Sequence, residues 1–345
     1  MAQLIYRKAG LTLKRGNSRM TKGQVRALQE HLRCLGYLRR GIDGAFGSGT
    51  ERAVKALQHD LLNNDGRGRD GNAPVRLLDY NKGRVLDVTG QVDQAMAGCI
   101  SDMLDDPAFL KLPKADDPKA ANGEVAEQLA ATRSKDAPVP FLRAMFKQES
   151  NGRHFNEPRR GDDDSYIVVG LDTNASQKHV VTSRGFGVGQ YTLFHHPPTK
   201  AEVSGFVEDV AGNIQRAVGE LREKFDHFVT GRTSGTRADD RMAEAQGPLR
   251  LCKYSASDPR FLTDCKACAL AAGSRDIVQG RTKLHPKSSK TFQPTQYYRS
   301  ANYQAVPKRE KIGCDWPYAA RRYNGAGMNS YHYQARILRN LAKLA

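Results

Sequence analysis

The sequence predicts a mainly α protein of two domains: a small helical one, then a larger helical one with a long polar insertion. Three observations predict it. Two amphipathic patterns flank a glycine-rich turn within residues 21–61, with Val25, Leu28, Leu32 and Leu35 on one helix face and Val54, Leu57 and Leu61 on the next. Further along, Phe141, Leu142, Met145 and Phe146 recur at helical spacing, as do Phe206, Val207, Val210, Ile214, Ala217, Val218, Leu221 and Phe225. A last stripe, Tyr333, Ile337, Leu341 and Leu344, closes the chain. The 345 residues fit two domains of roughly 100–200 residues each, and a hydrophobic content of 39% supplies ordinary cores.

Each element has local signals. Thr21-Lys-Gly-Gln24 has the form of a capping box before the first helix. Gly36 ends that helix as a left-handed cap, and Tyr37–Gly47 forms the turn. After the second helix, residues 65–90 intervene, and Val92–Leu104 is the candidate third, closing helix. The first domain is thus placed at 1–106. Residues 107–137, rich in Pro, Ala, Asp and Lys, read as a linker with a short helix near Val125–Leu129; Pro138 and Pro140 open a second domain at 138–345. The 206–225 stripe reads as a core helix. Residues 230–313 are polar, basic and turn-rich, with Tyr297, Tyr298 and Tyr303 among Arg and Lys; this composition reads as a solvated, disulfide-pinned insertion, and also suits stacking on bases or sugars.

The net charge of +17 and a pI of about 9.7 draw the chain to a polyanion: nucleic acid, anionic lipid or the anionic bacterial wall. No apolar run approaches the ~20 residues of a membrane span. The N-terminal residues lack the apolar core and cleavage site of a signal peptide, so the expectation is synthesis in the cytoplasm and delivery by other means. Cys34 and Cys99 fall in the first third, and Cys252, Cys265, Cys268 and Cys314 in the C-terminal half. One bridge in the first domain and up to two in the second would use them, free thiols being the alternative. Cys265-x-x-Cys268 has zinc-like spacing, but no second close pair completes a site. No cofactor or metal is expected.

Glu149 shares a helix face with Phe141, Leu142, Met145 and Phe146. A carboxyl group among apolar neighbours resists ionisation, which is what a glycosidase requires of its general acid. The alternative is a solvated Glu at a helix end. Gly185-x-Gly187-x-Gly189 has the look of a dinucleotide loop, but no βαβ unit surrounds it. Phe186 and Tyr191 are candidates for stacking on sugars.

Two resemblances sharpen this. The run Gly23-x-Val25-x-x-Leu28-Gln29-x-x-Leu32-x-x-Leu35-Gly36-Tyr37, then Asp43-Gly44-x-Phe46-Gly47-x-x-Thr50-x-x-Ala53-Val54-x-x-Leu57-Gln58, resembles the three-helix peptidoglycan-binding domain found on wall hydrolases. The intervening 65–90 departs from that family. Behind it, Glu149-Ser150-x-Gly152, Gly187-Val188-Gly189-Gln190 and Tyr323-Asn324-Gly325 stand in the order of the goose-type lysozyme and soluble lytic transglycosylase superfamily. The likeness covers about 138–200 and 315–345 and implies a lysozyme-like domain. It implies Glu149 as acid, Ser150 beside it in the substrate cleft, Gln190 lining the sugar groove, Tyr323 orienting the Glu149 carboxyl group and Asn324 bonding substrate or loop backbone.

The implied reaction is cleavage of the β-1,4 bond between N-acetylmuramic acid and N-acetylglucosamine in peptidoglycan glycan strands. Hydrolysis needs a second carboxylate, as base or nucleophile. The family's Asp position reads Ser183-Arg184-Gly185, and the gap from Glu149 to Gln190 is about twice the family's; the extra segment carries Asp162, Asp163, Asp164 and Asp172. Asp164 or Asp172 is the candidate, against a solvated loop; contiguous Asp residues lack the alternating spacing of a calcium loop, and His195-His196 is too isolated for a metal site. The extra Asp residues favour a muramidase over a lytic transglycosylase making 1,6-anhydro products. A non-catalytic wall-binding protein is the rival reading; a nucleic-acid binder has charge alone to support it. Action in the periplasm or on the wall would follow delivery by a secretion machine, with an immunity protein as partner, or by phage lysis.

Overall fold

The computed structural model describes residues 4–68, 71–72, 75–131, 137–194, 197–229, 257, 259, 314–325 and 328–343. Among them are ten α-helices, one π-helical turn and five strands. The chain forms two compact units, each discontinuous in sequence: unit one is Met1–Val125 with Arg153–Asn213, and unit two is Ala126–Gly152 with Ile214–Ala345. This division differs from the sequence reading of 1–106, 107–137 and 138–345.

In unit one, α1 (Lys22–Cys34) begins with the capping box: Thr21 Oγ1 accepts from the Gln24 amide at 3.2 Å and the Thr21 amide donates to Gln24 Oε1 at 2.9 Å. It ends at Gly36, whose φ of +77° suits glycine. There Tyr37 N–H bonds Leu32 O at 2.8 Å and Gly36 N–H bonds Arg33 O at 2.9 Å, satisfying two terminal carbonyls. α2 (Ser48–Asn63), the hairpin β1 (Arg67–Gly68) and β2 (Gly71–Asn72), and α3 (Leu78–Asn81) follow. α4 (Gln94–Asp105), capped by Asp93, is the helix expected at Val92–Leu104. Leu28, Leu32, Val54, Leu57, Leu61, Ile100 and Met103 share one buried core, each contributing about 1.5–3 kcal/mol where fully enclosed. The N-terminal segment adds Leu4, Tyr6 and Leu13 to it; Leu13 bridges Val92, and Tyr6 Oη lies 2.7 Å from His31 Nδ1.

Residues 107–117 are packed, which corrects their reading as a linker. Phe109, Leu110 and Leu112 are buried, the Leu112 amide donates to Cys34 O at 2.7 Å, and Lys114 bridges Tyr166. Proline and aspartate there exclude a helix, and the apolar Phe-Leu-x-Leu run still drives burial. α5 (Pro118–Ala131) extends well beyond the short helix expected near Val125. Cys34 and Cys99 are both thiols, so no disulfide joins them; Cys252, Cys265 and Cys268 lie outside the described residues, as do Tyr297, Tyr298, Tyr303 and His195-His196.

Past Arg153, β3 (Val169–Thr173), β4 (Val181–Phe186) and β5 (Tyr191–Phe194) make an antiparallel sheet in that order, followed by α7 (Lys200–Val207). A second core gathers Ile42, Leu112, Tyr166, Ile167, Phe186 and Phe206.

Two buried ion pairs join this later segment to the first helices. Arg33 Nε and Nη2 grip the Asp164 carboxylate at 3.0–3.2 Å, and its other hydrogens reach Leu38 O and Ile167 O at 3.1 and 2.9 Å. Asp164 also accepts the amides of Gly41 and Tyr166, both at 3.1 Å. Conversely, Arg184 Nη2 lies 3.4 Å from Asp60 Oδ2, which accepts from Tyr37 Oη at 2.7 Å. Asp162 accepts the Ile42 amide at 2.7 Å and Asp163 pairs with Arg26. Asp162 and Asp164 of the triple-Asp run are thus tied to residues 33–42, while Asp163 stays exposed beside Arg26.

Unit two contains α6 (Val139–Ser150), the end of α8 (Val210–Lys224), the π-helical turn Phe225–Val229, α9 (Trp316–Tyr323) and α10 (Met328–Lys343). α10 packs on α6 and α9. The Trp316 ring lies 4.6 Å from that of Phe225 and 6.5 Å from that of Phe141. Asn340 Nδ2 donates to Ala144 O at 3.3 Å.

Because neither Arg33 nor Asp164 can reach water, truncating one leaves a buried charge alone. Arg33→Ala should lower the unfolding free energy by about 3–5 kcal/mol in urea titration, whereas Arg33→Met combined with Asp164→Leu should lose far less. A cost for Arg33→Ala of under about 1 kcal/mol would mean the pair is effectively solvated.

Candidate functional site

α6 places Glu149 in its last turn, with Phe141, Leu142, Met145 and Phe146 buried on the same helix. Pro140 sits in the first turn, where its missing N–H costs nothing. The helix stops because Asn151 turns left-handed (φ +62°) and the Gly152 amide returns to Phe146 O at 2.9 Å. Ser150 is buried and its Oγ donates to the same carbonyl at 3.1 Å, so it shapes the helix end. Glu149 is half-buried and accepts on Oε1 a hydrogen bond from the Tyr333 hydroxyl of α10.

Tyr333 is buried. Burial and then the neighbouring Glu149 charge push its ionisation well above that of an ordinary tyrosine, so it remains a donor. Tyr323, the last residue of α9, and Glu220 on α8 act on the same hydroxyl. Glu220 is half-buried, which raises its pKa, with Lys224 Nζ 3.9 Å away. Asn324 caps α9 and is exposed. The resemblance implies that Tyr323 orients Glu149; Tyr333 also donates a hydrogen bond to that carboxyl group. Sequence reasoning misses both Tyr333 and Glu220. The available signal is a tyrosine within an apolar stripe, whose buried hydroxyl needs a partner.

Asp164, Asp172, Gln190 and Tyr191 belong to unit one. The Gly187-Val188-Gly189 turn joins β4 to β5 in an antiparallel hairpin. His154 and Asn213 hold it from beneath: Val188 N–H meets His154 Nδ1 at 3.4 Å, and Gly189 N–H donates to Asn213 Oδ1 at 2.9 Å. Asn213 Nδ2 donates to Phe186 O and Phe206 O at 2.9 and 3.1 Å. His154 Nε2 lies 3.0 Å from Val207 O, so it carries the proton and Nδ1 accepts: a neutral ring.

Gln190 is left-handed (φ +52°), and its amide donates to Gly187 O at 2.7 Å and Val168 O at 3.3 Å. A Cβ at Gly170 would meet Gln190 Oε1 at 2.3 Å and one at Gly185 the Gln190 carbonyl oxygen at 3.0 Å, so both glycines leave room for Gln190. Gln190 thus braces its own hairpin. Tyr191 is half-buried and packs edge-on against Phe206 at 5.1 Å. Phe186 is enclosed in the core, which corrects its reading as a sugar platform. Asp164, sealed against Arg33, is likewise corrected as an accessible second carboxylate. Asp172 is exposed on β3 and accepts Ser183 Oγ at 2.7 Å. Among the described residues no cluster of three or more His, Cys, Asp or Glu is placed to hold a metal ion, and no helix is long and apolar enough to cross a membrane.

Residues 21–64 match the family model described as "Putative peptidoglycan binding domain". The match covers α1, the glycine-rich turn and α2, which supports a peptidoglycan-binding domain there. Comparisons with curated proteins and with solved structures gave no match.

The buried His154 gives a pH signature. Burial lowers its pKa below 6.5, so above that value both folded and unfolded chains are neutral there and its contribution to stability is whole. As pH falls below 6.5 the unfolded chain takes up a proton that the native state resists, and stability drains until the folded pKa is passed. Unfolding free energies between about pH 7.5 and 5 should fall more steeply for wild type than for His154→Gln. Parallel curves would show that His154 does not carry the slope.

Proposed function

We propose that the protein cleaves the glycan strands of peptidoglycan, with residues 21–64 holding it on the wall and Glu149 acting as the general acid. One observation carries this reading: in a chain with a wall-binding domain, a half-buried glutamate ends an apolar helix and is gripped by a buried tyrosine hydroxyl. Tyr333 fixes Oε1, and the proton passes from Oε2 to the oxygen of the β-1,4 bond between N-acetylmuramic acid and N-acetylglucosamine as that bond breaks. Such a geometry serves a muramidase. It also serves a lytic transglycosylase, in which the substrate's own hydroxyl closes a 1,6-anhydro ring and a single Glu suffices. Delivery to the periplasm or wall, as an injected effector or at phage lysis, completes the proposal. The positive charge would hold the enzyme on an anionic wall.

Digestion of purified peptidoglycan, followed by mass spectrometry, tests it. Glu149→Gln should cut product formation by about 10²–10⁴-fold. Tyr333→Phe should lower turnover by about tenfold or more while leaving wall binding intact. Reducing N-acetylmuramic acid ends would mark hydrolysis, and anhydro ends transglycosylation. Equal products from wild type and Glu149→Gln, or none from either, would leave a wall-binding protein without this chemistry. Retention of Glu149→Gln on wall preparations should weaken as salt rises from about 0.05 M to about 0.5 M; retention indifferent to salt would remove charge from the account.

A further inference from the structure

Four exposed arginines gather in unit one where two segments 120 positions apart are tied together. Arg39 and Arg40 lie in the glycine-rich turn, inside the matched stretch 21–64. Arg159 and Arg160 lie outside it, in a tight turn closed by two backbone bonds. The Arg159 amide donates to Asp162 O at 3.0 Å, and the Asp162 amide to Arg159 O at 2.8 Å. Further bonds lock the two turns to each other. The Gly41 amide donates to Asp164 at 3.1 Å, the Ile42 amide to Asp162 at 2.7 Å, and the Asp163 amide to Ile42 O at 3.2 Å. Arg26 Nη2 donates to Gly161 O at 3.2 Å. The two arginine pairs therefore stand at a fixed separation, on the order of 10 Å between backbones.

The acids along these segments are already engaged. Asp162 and Asp164 accept backbone amides, and Asp163 pairs with Arg26. Glu157 lies 3.0 Å from Arg153, and Asp43 accepts from Gln29 Nε2 at 2.8 Å and from the Ala45 amide at 2.9 Å. Among the described residues, no carboxylate pairs with the side chain of Arg39, Arg40, Arg159 or Arg160. Four uncompensated guanidinium groups on one rigid junction repel one another and gain from an anionic ligand. Their planar forks match the two oxygens of a carboxylate.

We propose that this junction binds the short acidic peptides attached to the glycan strands of peptidoglycan, through their free carboxylates. This rests on the wall-binding half of the proposed function and not on Glu149. The family match takes in Arg39 and Arg40, so the anion brought to them belongs to peptidoglycan. An extended peptide of three or four residues spans roughly 10–13 Å at about 3.3 Å per residue, enough to run from one arginine pair to the other. Arg159 and Arg160 extend the contact beyond the residues of the family match.

Binding of the full chain to purified sacculi tests this, in a Glu149→Gln background so that the wall is not cut. Arg39→Gln, Arg40→Gln, Arg159→Gln and Arg160→Gln combined should weaken binding about tenfold or more at about 0.1 M salt. The urea midpoint should stay that of the parent, since none of the four side chains is paired within the fold. Neutralising four exposed cations elsewhere in unit one, Arg7, Arg52, Lys119 and Lys178, should cost far less. Removing the peptides from the sacculi with an amidase should weaken the parent by the factor that the arginine substitutions do, and leave the substituted chain indifferent. Parent-like binding by the substituted chain, or equal losses from both sets of four, would overturn the proposal. Equal binding of the parent to intact and stripped sacculi would overturn it too, because the arginines would then meet another anion. No binding of the parent to any sacculi would sink the wall-binding reading with it. A wild-type chain that binds the wall but cuts no glycan would sink the role of Glu149 alone.

Discussion

The fold of unit one hangs on two crossed charge pairs. One runs from an arginine of α1 to an aspartate of the later segment (Arg33 to Asp164), and the other runs in the opposite sense, from Arg184 to Asp60. All four side chains are buried. Taking such charges out of water is expensive, and their mutual attraction offsets the cost only where geometry is good and the remaining hydrogen-bonding capacity is used. Arg33 meets that condition with two backbone carbonyls besides its carboxylate, and Asp164 with two backbone amides. Such pairs do less to deepen stability than to forbid alternatives, because any other register strands a charge in the core.

From that constraint follows the character of the domain that residues 21–64 begin. It is built into a larger body, not tethered to one. The strap at 107–117, the ties from Asp162 and Asp164 and the β3–β5 sheet pack around the same helices, and the hairpin bearing Gln190 inherits its rigidity from that packing through His154 and Asn213. In unit two, the Trp316 ring packs on Phe225 and Phe141, and the Tyr333 hydroxyl reaches across from α10 to Glu149 at the end of α6.

What is legible in the sequence is local. The capping box at Thr21, the stop at Gly36, the periodicity of both first helices and the closing helix near Val92 follow from propensity and spacing within a few residues. Glu149 stands out because its apolar helix mates are in sequence reach. The misses are mostly long-range. Asp164 looks available until Arg33, 131 positions away, seals it, and Tyr333 looks like core until it meets Glu149, 184 positions away. The strands at 169–194 escape notice because glycines and polar residues interrupt their alternation, and their pairing is tertiary. Residues 107–117 mislead because proline and aspartate mask the pull of Phe109, Leu110 and Leu112 toward a core.

The discontinuous make-up of unit one has a consequence at the ribosome. α1 and α2 emerge first, yet the Asp164 carboxylate that Arg33 meets is made 131 residues later. At roughly 5–20 residues per second that interval is on the order of 10 s, long compared with the microseconds a helix takes to form. During it Ile42 and then Leu112 are made before the later residues Tyr166, Ile167 and Phe186 of their core, and the first part of unit two is already extruded before the last part of unit one. Nascent chains of this protein therefore pass through a stage in which the binding domain is helical but uncommitted, and synthesis halted before Asp164 yields a fragment that holds an unpaired arginine and an open apolar face.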